Sequence, residues 1–271
     1  IMFRLNTVGF DESLAFSGRG AEKNNFLMNL FLQNEEEDKR LKELYKLNPT
    51  AFEKEIAHTK KRLLTDLDEF IISEKPSEAF IHIALANINY NYYSRKELYL
   101  SSKKRANNNN KIKYPENFFT YRDSLDLNDN TLKNYYTYHQ FINRYLDNLA
   151  YQGHIKKEPT FNKISYWHQT QKLRLIDSLI TNKQLHDNLL HNTVKRYLVH
   201  ADDSQKEHDL VALFKNLDHN EAHQKDVERY AYNTSKINAG ELIPNLALIT
   251  VNNVITSLQK INDSKTVFFF W

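Results

Sequence analysis

The chain contains no cysteine among its 271 residues. This absence excludes a structural disulfide, a thiolate metal site and cysteine catalysis within these residues. A chain of this length can bury a sizeable hydrophobic core, so disulfides are not needed for stability. The compartment stays open, since the absence fits a reducing cytoplasm as well as an envelope protein that avoids stray oxidation.

Glycine and proline are also scarce, with five of each, against average usage of about 7% and 5%. Long helices tolerate this composition, whereas barrels and sandwiches need many tight turns. The 13% aromatic content supplies bulk for packing helices together. We therefore expect a mainly α fold: an irregular antiparallel helical array, with a degenerate helical-hairpin repeat as an alternative.

The chain also lacks a large excess of one charge and any long run of apolar residues. The 37 basic and 34 acidic residues give a formal charge of +3 and are mixed along the chain, so nucleic acid is not expected as a partner. No run approaches the roughly 18 apolar residues that span a bilayer, so no transmembrane segment is expected in this chain. Because the chain starts with Ile1, the natural protein is expected to extend upstream, where a targeting signal or lipid anchor could lie.

Local patterns predict a strand first and helices afterwards. Residues 2–10 alternate apolar and polar side chains, which is typical of a strand. From Ala21 the period becomes helical and stays so to about residue 236. Apolar stripes are expected to pack these helices together: Phe26, Leu27, Leu30 and Phe31; Leu63, Leu64, Leu67, Phe70 and Ile71; Phe80, Ile83, Ala84 and Ile88; Tyr135, Tyr138, Ile142, Tyr145, Leu146 and Leu149; Leu173, Ile176, Leu179 and Ile180; Leu185, Leu189, Val194 and Tyr197; Leu210, Leu213, Phe214 and Leu217.

Polar residues, proline and glycine predict where these helices begin and end. Asn48 followed by Pro49 is typical of a helix N-terminus, and Pro76-Ser77 marks the next boundary. Residues 103–113 are expected to form a long loop. Asn128-Asp129-Asn130 are cap candidates for a following helix that Gly153 would end.

The end of the chain changes pattern again. From Gly240 and Pro244, apolar β-formers alternate, Asn252-Asn253 predicts a turn, and the strand pattern resumes at Val254. Lys265 then precedes a hydrophobic stretch, residues 267–271, that predicts a buried central strand. We expect this last strand to pair with the strand near Leu246 or with the N-terminal strand, because an unpaired apolar strand promotes aggregation.

This order of features resembles the entry to a thioredoxin-like domain of the periplasmic protein-disulfide reductase family. The features that match are a glycine, a nearby proline, an apolar strand, a two-residue turn, a Ser-Leu pair, a lysine and a strand that ends in Phe-Trp. They fall on Gly240, Pro244, residues 246–248, Asn252-Asn253, Ser257-Leu258, Lys265 and residues 267–271. A second stretch, residues 16–27 with the helical region after it, resembles the part of flavobacterial (Bacteroidota) members between an N-terminal β-domain and the thioredoxin-like fold.

The resemblance divides the chain into three expected parts: residues 1–18 as the end of an upstream β-domain, 19–238 as a helical domain, and 239–271 as an incomplete thioredoxin-like domain. In redox-active members a Cys-x-x-Cys motif follows the Phe-Trp strand within a few residues, with its first cysteine at a helix N-terminus that lowers the thiol pKa. This chain ends at Trp271, so no catalytic residue of the family is present in it. The resemblance implies a protein of the periplasm or outer membrane, often exported or lipid-anchored.

Several residue clusters are candidate sites. His219 and His223 are four apart, a spacing that can hold a metal on one helix face, yet with 11 histidines solvated helix histidines are the favoured interpretation. His186 and His191 are expected to diverge around a helix. No metal or cofactor is expected. A tyrosine-rich and basic stretch could bind nucleic acid or glycan, but packing is the favoured interpretation; it comprises Tyr90, Tyr92, Tyr93, Tyr99 and Arg105.

The function expected from the sequence is that of a non-catalytic helical accessory region in an envelope thioredoxin-like protein, with a possible envelope protein as partner. The alternative is a redox-inactive binding or scaffold protein of the envelope that uses the helical array as its partner surface. An independent helical enzyme ranks last, because the acidic pairs near Asp66 and Glu35 are typical of solvated helix faces.

Overall fold

The computed structural model describes residues 1–106, 112–201, 203–235 and 245–261. The fold is mainly α, as the sequence predicts, with short antiparallel strands near the two termini. The chain divides into two compact units, Ile1–Leu189 and Leu190–Trp271, and the division falls within one helix. The predicted boundary near residue 238 lies outside the described residues, so it stays a prediction.

The first unit begins with a small hairpin and continues as helices. Its elements are the strands β1 (Met2–Arg4) and β2 (Ala15–Ser17), the helices α1 (Phe10–Ser13), α2 (Ala21–Lys39), α3 (Leu41–Leu44), α4 (Pro49–Glu74), α5 (Glu78–Ala106), α6 (Tyr136–His154) and α7 (Tyr166–Leu179), a 3₁₀ segment (Glu116–Ser124), and the start of α8 (Lys183–Leu198). The strands pair antiparallel with Phe3 opposite Phe16. The first predicted strand is shorter than expected and ends at Arg4. The Asn6 side-chain oxygen then accepts from the Val8 backbone N–H at 3.1 Å, and Phe10 begins a helical turn after Gly9 in a left-handed conformation (φ 71°).

Helix α5 is the centre of the first unit and packs against α2, α4 and α6. One apolar cluster joins α2, α4 and α5, and a second joins α3, α4, α5 and the 3₁₀ segment. The first consists of Leu30, Leu63, Leu67, Phe80, Ala84 and Ile88, and the second of Leu44, Phe52, Ile56, Tyr99, Leu100 and Phe118. Leu30, Leu63 and Phe80 of the predicted stripes are therefore core residues. Phe31, predicted in the same stripe as Leu30, is 41% exposed, so its placement in the packed face was wrong.

Two predicted helix boundaries are confirmed by their hydrogen bonds. The Asn48 side chain accepts from the backbone N–H of Ala51 at 2.9 Å, and Pro49 occupies the first helical position. Helix α4 ends at Glu74 with Lys75 in a left-handed conformation, and α5 begins at Glu78.

Three other predicted boundaries are wrong, each because the residue contacts an element distant in the chain. Helix α5 continues through Lys103 and Lys104, and Lys104 bonds to Asn148 across the helix interface. Of the remaining predicted loop, residues 107–111 lie outside the described residues, and residues 112–113 have no regular secondary structure, as predicted. Asn128 does not cap α6, since its side-chain oxygen accepts from the backbone N–H groups of Thr181 and Asn182.

Gly153 does not end α6, which continues to His154. A Cβ at Gly153 would lie 2.7 Å from the Gln171 side chain of α7. The glycine therefore serves the close packing of two helices and not helix termination.

The second unit contains the end of α8, the helices α9 (Ser204–Leu217), α10 (Glu221–Ser235) and α11 (Leu258–Ile261), and the strands β3 (Ala247–Ile249) and β4 (Ile255–Ser257). Helices α9 and α10 pack together around buried Leu210, Phe214 and Val227. The strands pair antiparallel with Leu248 opposite Thr256, and Asn253 in the connecting turn has φ 58°. This hairpin is where the sequence predicted it; the predicted strand at 265–271 lies outside the described residues.

Candidate functional site

Four consecutive polar residues of α5 form what we call the polar belt. Ser94, Arg95, Lys96 and Glu97 are all buried, with Glu97 fully so. Successive residues are about 100° apart on a helix, so four of them cover most of its circumference. Burial of all four means that α5 is enclosed on every side at this level. Each charged side chain must then find its partner on a different neighbouring element.

Glu97 is the most densely bonded member of the polar belt. Arg122 of the 3₁₀ segment donates to both carboxylate oxygens at 2.7 Å, and Asn148 of α6 donates to one of them at 2.6 Å. The Tyr121 hydroxyl donates to the same carboxylate, and burial, together with the Glu97 charge, raises the pKa of Tyr121. Lys104 donates to the Asn148 side chain at 3.0 Å, and burial lowers its pKa to about 8.

Lys96 points toward α4 and an aromatic enclosure. Its ammonium lies 3.0 Å from Glu53 and 4.4 Å from the ring centre of Phe118. Burial lowers the pKa of Lys96 while Glu53 opposes the shift. Lys60 lies 4.6 Å from the ring centre of Tyr92, and its pKa is lowered by burial and by the charge of Lys96.

The tyrosine-rich stretch predicted as a packing or ligand-binding region lies in and around this part of α5. Tyr90 and Tyr99 are buried, whereas Tyr92 and Tyr93 are half-buried. Tyr99 stacks on Phe52 with ring centres 4.0 Å apart. Because Tyr90 and Tyr99 are buried, the four rings do not form one exposed face, and the neighbouring Lys96 is buried as well. Arg105 is exposed.

A second buried cluster joins α6 and α7. Lys172 donates to Asp147 at 2.6 Å; although burial acts to raise the pKa of Asp147, Lys172 and His168 lower it overall. His168 is fully buried, lies 3.5 Å from Asp147 and has no hydrogen bond at either ring nitrogen. Burial lowers its pKa, so the neutral imidazole is favoured. This histidine lies in the Tyr166-Trp167-His168 stretch that begins α7.

The predicted pair His219 and His223 is arranged differently from the sequence expectation. His219 is exposed in the segment before α10, so the two residues do not share a helix face. His223 stacks instead on His191 of α8, with ring centres 4.4 Å apart and planes 16° apart. Each ring has its own carboxylate at 2.9 Å: Asp218 for His223 and Asp226 for His191.

The stacked pair is not arranged to share a metal ion. A metal lies in the plane of each imidazole that ligates it, and near-parallel planes do not converge on one point. No group of three or more His, Asp or Glu side chains within the described ranges is placed to hold a metal. Burial lowers the pKa of His191 although Asp226 opposes the shift. His186, as predicted, points elsewhere and lies beside Asp177 and Asp187.

The polar belt is hard to predict from the sequence, because Ser-Arg-Lys-Glu is typical of a solvated helix face. A signal was present nonetheless. Apolar and aromatic residues are spread around α5 on all sides, as in Tyr90, Tyr92, Tyr93 and Tyr99, and a helix that is apolar all round is expected to be enclosed.

The hairpin of β3 and β4 is the described region with the most exposed aliphatic side chains in the second unit. Ile249, Val251 and Ile255 are 73%, 100% and 78% exposed. A two-stranded hairpin is marginal by itself, and exposed aliphatic residues at its strands and turn are typical of a surface that another element covers.

In the part of the chain that the structure describes, no helix combines the length and apolarity needed to cross a membrane. Comparisons with protein-family models, curated proteins and solved structures found no match for this chain.

Proposed function

We propose that this chain is the non-catalytic helical accessory region of a cell-envelope thioredoxin-like protein of the protein-disulfide reductase type, facing the periplasm. The helices position the thioredoxin-like part, which starts near Gly240. Redox chemistry belongs to cysteines outside this chain, which has none.

The observation that supports this proposal best is the hairpin of β3 and β4. Its first strand at Leu248, its tight turn at Asn253 and the Ser257-Leu258 pair stand where the resemblance expects an apolar strand, a two-residue turn and a Ser-Leu pair. The other features of the resemblance, at Gly240, Pro244, Lys265 and 267–271, lie outside the described residues. Its exposed aliphatic residues need a cover, and the remaining strands of a thioredoxin-like sheet would provide one.

The polar clusters support a structural role for the helices. Glu97, Asp147 and Asp226 each bond to arginine or lysine side chains of the same chain. Carboxylates held in this way stabilise a fold and are poor candidates for acid or base catalysis. The helical region is therefore proposed to be inert in the reaction of the whole protein.

The test is a disulfide-reduction assay on the product of the complete gene, with reduction of insulin disulfides as the readout. The matched control is the same protein with both cysteines of its Cys-x-x-Cys motif changed to serine. Reduction by the natural protein and none by the control would support the proposal. A complete protein without thiols and without activity would favour the alternative, a redox-inactive binding protein.

A further inference from the structure

Two histidines from different helices lie face to face in the second unit. The rings of His191 in α8 and His223 in α10 have centres 4.4 Å apart and planes 16° apart, and both residues are half-buried. Such a stack suits neutral imidazoles, because two imidazolium rings at this separation repel each other. Since each helix contributes one ring, the stack is a contact between α8 and α10 whose strength depends on protonation.

The carboxylate beside His191 already holds two permanent cations. Asp226 accepts from Lys195 at 2.8 Å and from Arg229 at 2.7 Å. His191 donates to the same carboxylate at 2.9 Å. Burial lowers the pKa of His191, and the charges of His223 and Lys195 act in the same direction. A protonated His191 would therefore be a third cation on one anion.

The other ring has an anion of its own. Asp218, in the connection between α9 and α10, is fully buried and lies 2.9 Å from Nδ1 of His223. Its second oxygen accepts from the backbone N–H of Asn220 at 2.8 Å. Lys215 of α9 is paired with Glu228 of α10, so the charges of that pair balance each other.

The cluster around the stack is neutral only while both imidazoles are neutral. Its two carboxylates, Asp218 and Asp226, then balance two cations, Lys195 and Arg229. Protonation of both rings adds two positive charges and no anion. The excess charge would lie between two packed helices, where it favours their separation.

We propose that the stacked pair of His191 and His223 is a pH-sensitive switch that holds α10 against α8 at neutral pH and releases it in acid. Rings that have separated take up protons near the ordinary histidine pKa of about 6.5, whereas the stacked rings resist the second proton. The contact is therefore stable above that pH and weakens as the pH falls through it. The switch goes beyond the proposed accessory role and does not depend on it.

The first test measures the coupling between the two rings. The protonation of His191 is followed by NMR of its ring nitrogens in the natural chain and in His223→Gln. The repulsion between two unit charges about 4 Å apart in water corresponds to a factor of about five in an equilibrium constant. The proton affinity of His191 should therefore rise about fivefold in His223→Gln and stay unchanged in the control His219→Gln, whose histidine is exposed. Equal proton affinity of His191 in the natural chain and in His223→Gln would overturn the proposal.

The second test measures the release of α10. Its readout is the hydrogen-exchange protection factor of the backbone amide of Val227, a buried residue of α10. Between pH 7.5 and 5.5 this factor should fall at least about fivefold in the natural chain and in His219→Gln, and less in His223→Gln. A protection factor in the natural chain that stays constant or rises would overturn the proposal without reference to any variant. So would an equal fall in the natural chain and in His223→Gln.

Discussion

Replacing Glu97 by glutamine is expected to destabilise the first unit strongly. Glutamine keeps the shape of the side chain but removes the charge, which leaves Arg122 without its anion. One carboxylate oxygen also becomes an amide NH₂ that faces the donors of Arg122 or Asn148. Breaking a buried ion pair by removing one partner costs about 3–5 kcal/mol. For a unit of this size each kcal/mol lowers Tm by about 2–4 °C, so Tm should fall by about 6–20 °C.

The assay is thermal and urea unfolding followed by circular dichroism at 222 nm. The matched control is Glu43→Gln, because Glu43 and its partner Lys46 are 74% and 71% exposed in their side chains. Such a pair contributes less than about 1 kcal/mol. A Glu97→Gln variant within about 1 kcal/mol of the natural chain would refute the claim that the polar belt is a closed, buried network.

Three further predictions test other parts of the fold. Burial lowers the pKa of His168 in the folded chain, so the unfolded chain takes up a proton at a higher pH than the folded chain does. The free energy of unfolding should therefore fall as the pH drops below about 6.5. A His168→Gln variant should lose less free energy of unfolding between pH 7.5 and 5.5, as measured by urea unfolding. Gly153→Ala should lower the free energy of unfolding by about 1 kcal/mol, because the new Cβ would clash with Gln171. Adding Gln171→Ala removes the clash and should restore stability, since alanine favours the helix over glycine by about 1 kcal/mol. Additive effects of the two changes would contradict the close approach of the two residues. Asn48→Ala should cost about 1 kcal/mol in Tm-derived stability, and an unchanged Tm would argue against the cap.

Sequence reasoning predicted the helices well where their signals are local. The Asn48-Pro49 start and the apolar stripe around Leu63 depend on residues close in the chain, and both are present in the structure. The predictions for Asn128 and Gly153 failed because each residue contacts a part of the chain distant in sequence. The Asn128 side chain accepts a hydrogen bond from Thr181, and Gly153 lies close to Gln171 of α7. Spacing along one helix does not report such contacts.

The side-chain clusters were harder to predict than the helices. His223 was singled out, but its partner His191 is 32 positions away on another helix, and no local spacing points to that pairing.

The most direct measurement is to sequence the parent gene for about 10 codons beyond Trp271, the distance that would include a redox motif at a helix start. We predict a Cys-x-x-Cys motif within that stretch. A continuous reading frame through the stretch without any cysteine would contradict the assignment of this chain to a disulfide reductase.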